Sequence, residues 1–328
     1  MGMSTQELKQ EAVQEAIERA GRAPSIHNSQ PWRFRVSERR VDLYADPTRW
    51  LPATDADERD LLLSCGAALH HLRLALADAG LHATVHRLPS VEEPNHLATV
   101  ELDAGSGHDA AAPELLAAIP DRRTDRRPFR DWPIPEAFIR QLIERAAEQG
   151  AVLRLVNDPG TTDVLMKAIA SAATAQEDLP EYQAELASWS GRDGDDGIPL
   201  ANLPHNPTTR VAAARKFNQG AIETPETGDP EALTLMVLGT ASDDRLSQLR
   251  AGEALSAVLL EATHFGLASS PLSQPLEIGA TRQVLQDEVL GGTLSPQIVL
   301  RLGWAPANSP LPPTPRRPVA EIIDGLPN

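Results

Sequence analysis

Apolar residues recur at helical spacing over residues 5–21, where Leu8, Ala12, Val13, Ala16, Ile17 and Ala20 share one face and Gly21 marks the stop. The period then changes. Residues 32–36 and 41–45 predict two strands around the charged turn Ser37-Glu38-Arg39-Arg40. Residues 55–80 predict a long helix, so apolar between Leu61 and Ala79 that nearly every face must be buried. Strands are expected at 83–88 and 97–102, then a Gly- and Ala-rich linker at 104–112. A second series follows. It holds a short helix at 113–119, a helix at 136–149, a strand at 151–157 and a helix at 160–175. After a gap come a strand at 233–240, a second long apolar helix at 242–266, a strand at 297–303 and a proline-rich tail at 310–318. In the gap, residues 177–228, no period holds. A stretch so long without a pattern predicts a lid, a binding loop or disorder.

The two series are related. Gly66, Ala68, Leu69, Leu74, Gly80 and Leu81 recur 186 positions later as Gly252, Ala254, Leu255, Leu260, Gly266 and Leu267. Ile17-Glu18-Arg19-Ala20 recurs 126 positions later as Ile143-Glu144-Arg145-Ala146. The second copy therefore carries 60 extra residues between its first helix and its long one. The expected organisation is two pseudo-symmetric halves, 1–112 and 113–328, with an inserted lid-like excursion at about 177–228.

Composition narrows the function. With 328 residues and 41% hydrophobic positions the chain can bury a sizeable core. No apolar run reaches the roughly 18 residues of a membrane span, and the N-terminus lacks a signal-peptide core. A single cysteine, Cys65, excludes an intrachain disulfide, fits a cytoplasmic protein, and is expected to be buried. The net charge of −16 argues against nucleic acid and against an anionic membrane as partners.

Against that acidity, basic clusters stand out. Arg122-Arg123-Thr124-Asp125-Arg126-Arg127 offers several guanidinium forks within one turn, and Arg316-Arg317 lies in the proline-rich tail. Such forks suit phosphate oxygens, and Thr124 adds a hydroxyl. The first half instead carries Ala23-Pro24-Ser25-Ile26-His27-Asn28-Ser29-Gln30-Pro31-Trp32, polar side chains between two prolines. Each motif occurs in one half only, so a composite site forms if the halves pack together. No GxGxxG or GxxxxGK[ST] loop is present. Ser25 and His27 sit two apart on an extended loop, which points them to opposite faces and argues against a hydrolase. His82 and His86 fall in a strand, and His70-His71 face apart on a helix, so no metal is expected.

These motifs, with Gly266-Leu267 and the turn after it, resemble the FMN-dependent nitroreductase family. The arrangement is most similar to the Acg-like branch, in which two nitroreductase halves are fused in one chain. The resemblance implies an α+β nitroreductase-like fold around two long central helices. It implies FMN as cofactor, NAD(P)H as possible electron donor, and a quinone or nitroaromatic as small-molecule acceptor. It further implies a monomer with pseudo-dimeric halves, or a homodimer. By the same resemblance Arg122 and Arg316 bind the FMN phosphate, with Arg317 nearby and Thr124 on the phosphate or ribityl chain. Arg123 and Arg126 reach the ribityl chain and the pyrimidine edge. Pro24, Ser25, Ile26, His27 and Asn28 line one side of the ring, and Pro271, Leu272 and Ser273 bring backbone groups near the flavin N5. No side chain is implied as general acid or base. A protein that only sequesters FMN under a closed excursion is the alternative.

Overall fold

The computed structural model describes residues 5–103, 112–205, 215, 217, 220–222, 234–306 and 310–324. The first half runs α1 (Thr5–Ala20), β1 (Trp32–Ser37), β2 (Arg40–Ala45), α2 (Arg59–Asp78), β3 (His82–Arg87) and β4 (His96–Asp103). After α3 (Ala112–Ala118) the second half runs α4 (Glu136–Glu148), β5 (Val152–Val156), α5 (Pro159–Glu177), α6 (Pro180–Trp189), β6 (Thr234–Thr240) and α7 (Arg245–His264). Then follow β7 (Ala268–Leu272), α8 (Gln274–Glu277), α9 (Gly279–Val284) and β8 (Ser295–Gly303).

Both halves have one topology. The first sheet is ordered β3-β4-β2-β1 and the second β7-β8-β6-β5, antiparallel throughout, with β1, β2, β3 and β4 standing for β5, β6, β7 and β8. The excursion thus replaces a hairpin turn: Ser37 and Arg40 close β1 onto β2, whereas residues 157–233 intervene between β5 and β6. A further strand, β9 (Ile323–Asp324), adds in parallel to the free edge of β1. The C-terminal segment therefore completes the first half's sheet.

The long helices α2 and α7 cross at the centre, and both are buried along nearly their whole length. Their meeting is reciprocal. A Cβ on Gly66 would lie 2.0 Å from the Leu249 carbonyl oxygen, and one on Gly252 would lie 2.1 Å from that of Leu63. The two glycines, and likewise the two leucines, are related by the same offset of 186 as the sequence repeat. His70 Nδ1 bonds Ser256 Oγ at 2.9 Å, again 186 positions apart. Both helices end on a left-handed glycine, Gly80 and Gly266. Leu81 and Leu267 then donate to the carbonyls of Leu76 and Ala262.

Besides β9, α8 and α9, which were not expected from the sequence, the structure departs from the expectations in three places. The stretch expected to be irregular from 177 holds α6, a ten-residue helix opened by Pro180, and a short helical turn at Leu200–Asn202. Strand β7 was not anticipated, because Ser269, Ser270 and Pro271 are weak strand formers; pairing with β8 overrides that preference. Helix α2 starts at Arg59, because Asp55 turns back to accept the N–H groups of Asp60 and Leu61. Residues 104–111 of the expected linker, and 206–214, 216, 218–219 and 223–228 of the excursion, lie outside the described residues.

A methyl group at the crossing must push two backbones apart. Gly66→Ala should cost about 3 kcal/mol in urea unfolding, at the upper end of overpacking effects. Gly252→Ala should cost a similar amount, and the double variant less than their sum, since one separation of the helices relieves both clashes.

Candidate functional site

The loop between α1 and β1 is strained. His27, Asn28 and Gln30 hold φ of 45°, 56° and 51°, a region that non-glycine residues rarely occupy. Hydrogen bonds from three directions hold it. Ser25 Oγ accepts the Gln30 N–H at 3.0 Å, and Ser64 Oγ on α2 accepts the Ile26 N–H at 3.2 Å. From the excursion, Gly197 donates its N–H to the Asn28 carbonyl and accepts Asn28 Nδ2, while the Asp195 carbonyl accepts Gln30 Nε2. From the C-terminal arm, Arg316 donates to Asn28 Oδ1 at 2.9 Å, and the Arg317 N–H donates to Gln30 Oε1 at 2.8 Å. Gly197 sits at φ 73°, and a Cβ there would meet the Trp189 carbonyl at 3.0 Å, so this approach needs glycine.

Behind the loop lies a group of cations. Arg122 is buried, Arg316 is partly buried, and Arg22 and Arg123 adjoin them. Burial and the neighbouring Arg123 push Arg122 down to about 10, and burial with Arg122, Arg123 and Arg22 pushes Arg316 well below its ordinary value. Among the described residues none of Arg122, Arg123 and Arg316 forms an ion pair with a carboxylate, although Asp121 acts on Arg123 from a distance. The Nε atoms of all three are buried without a partner. Uncompensated buried cations are costly, and their donors suit a multiply charged oxyanion. His71 of α2 faces the same cluster. It donates from Nδ1 to the Arg19 carbonyl at 3.2 Å, which leaves Nε2 bare and unpartnered. Burial and Arg122 hold His71 down to about 3.

A cavity begins at Thr124, the residue that follows Arg123. Pro24, Ser25, Ile26 and His27 form one wall, Thr124 and Arg126 another, and Pro271, Leu272 and Ser273 a third. Thr124 bridges to Ser269 of β7, which ties the arginine segment to the second sheet. Of the residues expected at a site, Arg122, Arg123 and Arg316 gather in the cluster and those nine line the cavity. Asn28 does neither; it clamps Arg316 to the excursion. Arg317 also does neither, its guanidinium being held by the carbonyls of Gln30 and Glu321.

Sequence reading missed several wall residues. Asp60 and Ser64 come from α2, and Arg301 from β8, where a lone arginine in an apolar strand was the available signal. Arg215 and Phe217 come from the excursion, and no periodicity marked them. Arg215 pairs with Glu277 and donates to His27 Nε2 and to Ser273 Oγ. Phe217 lies under Arg126, whose guanidinium carbon is 4.9 Å from the ring centre. Because Arg215 can only donate, His27 carries its proton on Nδ1, which is buried without a partner. Burial, Arg215 and Arg126 keep this imidazole neutral.

A folded pKa below the unfolded one means that the unfolded chain takes the extra proton. Stability linked to His71 is therefore complete above about pH 6.5 and is lost as pH falls towards 3. Urea unfolding should show His71→Gln weakening this fall by about 2 kcal/mol between pH 6.5 and 5.

No family model matches the chain. A Mycobacterium tuberculosis H37Rv protein, Rv3131, named provisionally as an NAD(P)H nitroreductase, is 43% identical over 326 residues, covering 98% of this chain and 94% of its own. A second protein of that organism, acg, provisionally named in the same way, is 37% identical over 329 residues, with 95% of each chain covered. The solved FMN- and NADPH-dependent nitroreductase NfnB from Sphigopyxis sp. strain HMH is 20% identical, with a TM-score of 0.43 over 65% of this chain and 99% of its own. On the full-length identity to the two mycobacterial proteins, the chain belongs to the NAD(P)H nitroreductase family, in its Acg-like branch.

Proposed function

We propose that this chain is a flavoprotein oxidoreductase that holds one FMN between its two halves, divided near residues 112 and 113. The carrying observation is the cluster of Arg122, Arg123 and Arg316, which no described carboxylate pairs and whose Nε donors are all buried without a partner. They adjoin the cavity in the chain: Arg123 precedes Thr124 in its wall, and Arg316 grips the residue after His27. A phosphate on the cluster and an aromatic ring in the cavity fit both features. When bound, FMN supplies hydride chemistry, from NAD(P)H to an acceptor such as a quinone or nitroaromatic. Arg122, Arg123 and Arg316 hold the phosphate, with Thr124 at the junction. Arg126 offers positive charge to the ring, and Pro24 to His27 and Pro271 to Ser273 bound it. His27 Nδ1–H is a neutral donor in that wall.

FMN titrated into apoprotein should saturate at one equivalent per chain. Arg122→Ala should weaken FMN by about 1.5–3 kcal/mol, the range of a charged hydrogen bond, and leave riboflavin nearly unchanged. Equal losses for the two ligands would remove the phosphate from Arg122.

A second reading has one observation in its favour: Arg215 and Phe217 of the excursion face into the cavity. An excursion closed over the ring excludes donors and makes the protein an FMN-sequestering one. Removing residues 178–228 is a poor test, since Gly197 and Asp195 hold the strained loop. Arg215→Ala breaks the Glu277 and His27 contacts and leaves the Gly197 and Asp195 bonds to Asn28 and Gln30 in place. On the sequestering reading, stopped-flow reduction by NADPH is slow in the intact protein and at least tenfold faster in the variant, roughly the effect of losing 1.4 kcal/mol of closure. Fast reduction in the intact protein, slowed by the variant, would instead make Arg215 part of the substrate site.

A further inference from the structure

Two-electron reduction of a quinone or nitro group consumes two protons, and a hydride brings one of them. In a covered cavity the other needs a side chain. Among the described residues lining the cavity, Asp60 is the one carboxyl. The wall arginines Arg126, Arg215 and Arg301 do not release protons near neutrality. His27 is neutral, with Nε2 engaged by Arg215. The serine and threonine hydroxyls are far weaker acids.

Asp60 sits in the first turn of α2 and is 3% exposed. Its Oδ1 is 3.2 Å from Arg59 Nη2, whereas its Oδ2 is buried and has no partner among the described residues. Asp55 lies beside it, with both oxygens taken up by the N–H groups of Asp60 and Leu61, at 2.9 and 2.8 Å. Burial and the nearby Asp60 nonetheless raise Asp55 to about 8, while burial raises Asp60 to about 6. Two adjacent buried carboxyls resist joint ionisation, so the pair holds one proton between them, and Asp60 Oδ2 is its one oxygen that no described donor or cation occupies. The charged groups facing Asp60 are Arg59 and Asp57 on its own segment, Asp55 at the helix start, Arg215 from the excursion and Glu277 from α8. Burial is the largest influence, and it raises Asp60 above the usual carboxyl range.

We propose that Asp60 is a catalytic residue, the general acid that protonates the acceptor as the hydride arrives. The inference rests on the flavin reading above. For a quinone, a hydride equivalent drawn from NAD(P)H by way of the flavin would form the O–H bond at one carbonyl oxygen, and its electron pair would pass through the ring to leave the other oxygen as an anion. The Asp60 O–H bond breaks, its proton forms the O–H bond at the other oxygen, and its electron pair stays on the carboxylate. Solvent then returns a proton to Asp60. The products are a hydroquinone and oxidised flavin.

The test loads wild type and Asp60→Asn with FMN, reduces both with dithionite, and mixes each with menadione or with ferricyanide. Ferricyanide takes single electrons and no proton. The expected result is a loss of about 100-fold or more with menadione, the size of a missing general acid, and an unchanged rate with ferricyanide. The wild-type menadione rate should fall as pH rises through the Asp60 pKa, and the variant rate should be flat. Independently of turnover, infrared spectra of the apoprotein at neutral pH should show a carboxylic-acid C=O band that Asp60→Asn removes. Equal slowing with both acceptors, no slowing, or no such band overturns the proposal. If Asp60→Asn does not fold, Asp60→Glu should move the pH midpoint with menadione alone, and an unmoved midpoint overturns it. If FMN does not bind to wild type, the flavin reading falls first and this one with it; if FMN binds and Asp60→Asn is inert, only this one falls.

Discussion

The close approach of two helix backbones at Gly66 and Gly252 is the constraint on which the rest depends. The two glycines bring α2 and α7 together without an intervening side chain, and each half builds its sheet outward from its own helix. The crossing sets where the start of α2 lies relative to β7 and β8. Asp60 and Ser64 of one half thereby share a wall with Ser270 to Ser273 of the other. Close-packed interiors transmit such spacing rigidly. A site assembled from both halves can be no better defined than the contact between their helices.

The site itself is kept out of local equilibrium. Three left-handed residues and the partnerless buried Nε donors of Arg122, Arg123 and Arg316 each raise the energy of the fold. The excursion and the C-terminal arm offset that cost with hydrogen bonds onto Asn28 and Gln30. The acidic surface contributes at longer range, since the chain carries 46 Asp and Glu against 30 Lys and Arg. The carboxylates nonetheless stay out of ion-pairing distance of Arg122, Arg123 and Arg316 among the described residues. Positive charge concentrated inside a negative molecule focuses the field on one internal point.

Much of this was readable in the sequence, for identifiable reasons. The long helices announced themselves because burial on all sides forces an apolar run, and their glycines recurred at a fixed offset because both copies meet at one crossing. The arginine segment and the Pro-Ser loop stood out by composition. What stayed hidden was set by tertiary contact. Helix α6 has no clear apolar stripe because it packs mainly by Tyr182 and Leu186. Strand β7 exists because β8 pairs with it. Asn28 and Arg317 stood out by residue type, but the partners that hold them, Gly197 and Arg316 for the one and the carbonyl of Gln30 for the other, are far away in the chain. Arg215 lies in a stretch without period, so nothing local tied it to the cavity wall at His27, 188 positions away in the chain.

The short strand Ile323–Asp324 and the arginine before it carry a consequence for the order of synthesis. Arg316 grips Asn28 across 288 positions of chain, and β9 seals the edge of β1. During translation the first half emerges long before either partner exists. Its sheet then presents β1 as an open edge with unpaired N–H and C=O groups, the kind of edge that templates misassociation. Arg33 and Arg35 point outward from β1 while Trp32 and Phe34 are buried, so charge guards the edge during that interval. The arginine cluster and the closed sheet are then completed by one late event, the docking of a single arm. A ribosome-bound first half has neither.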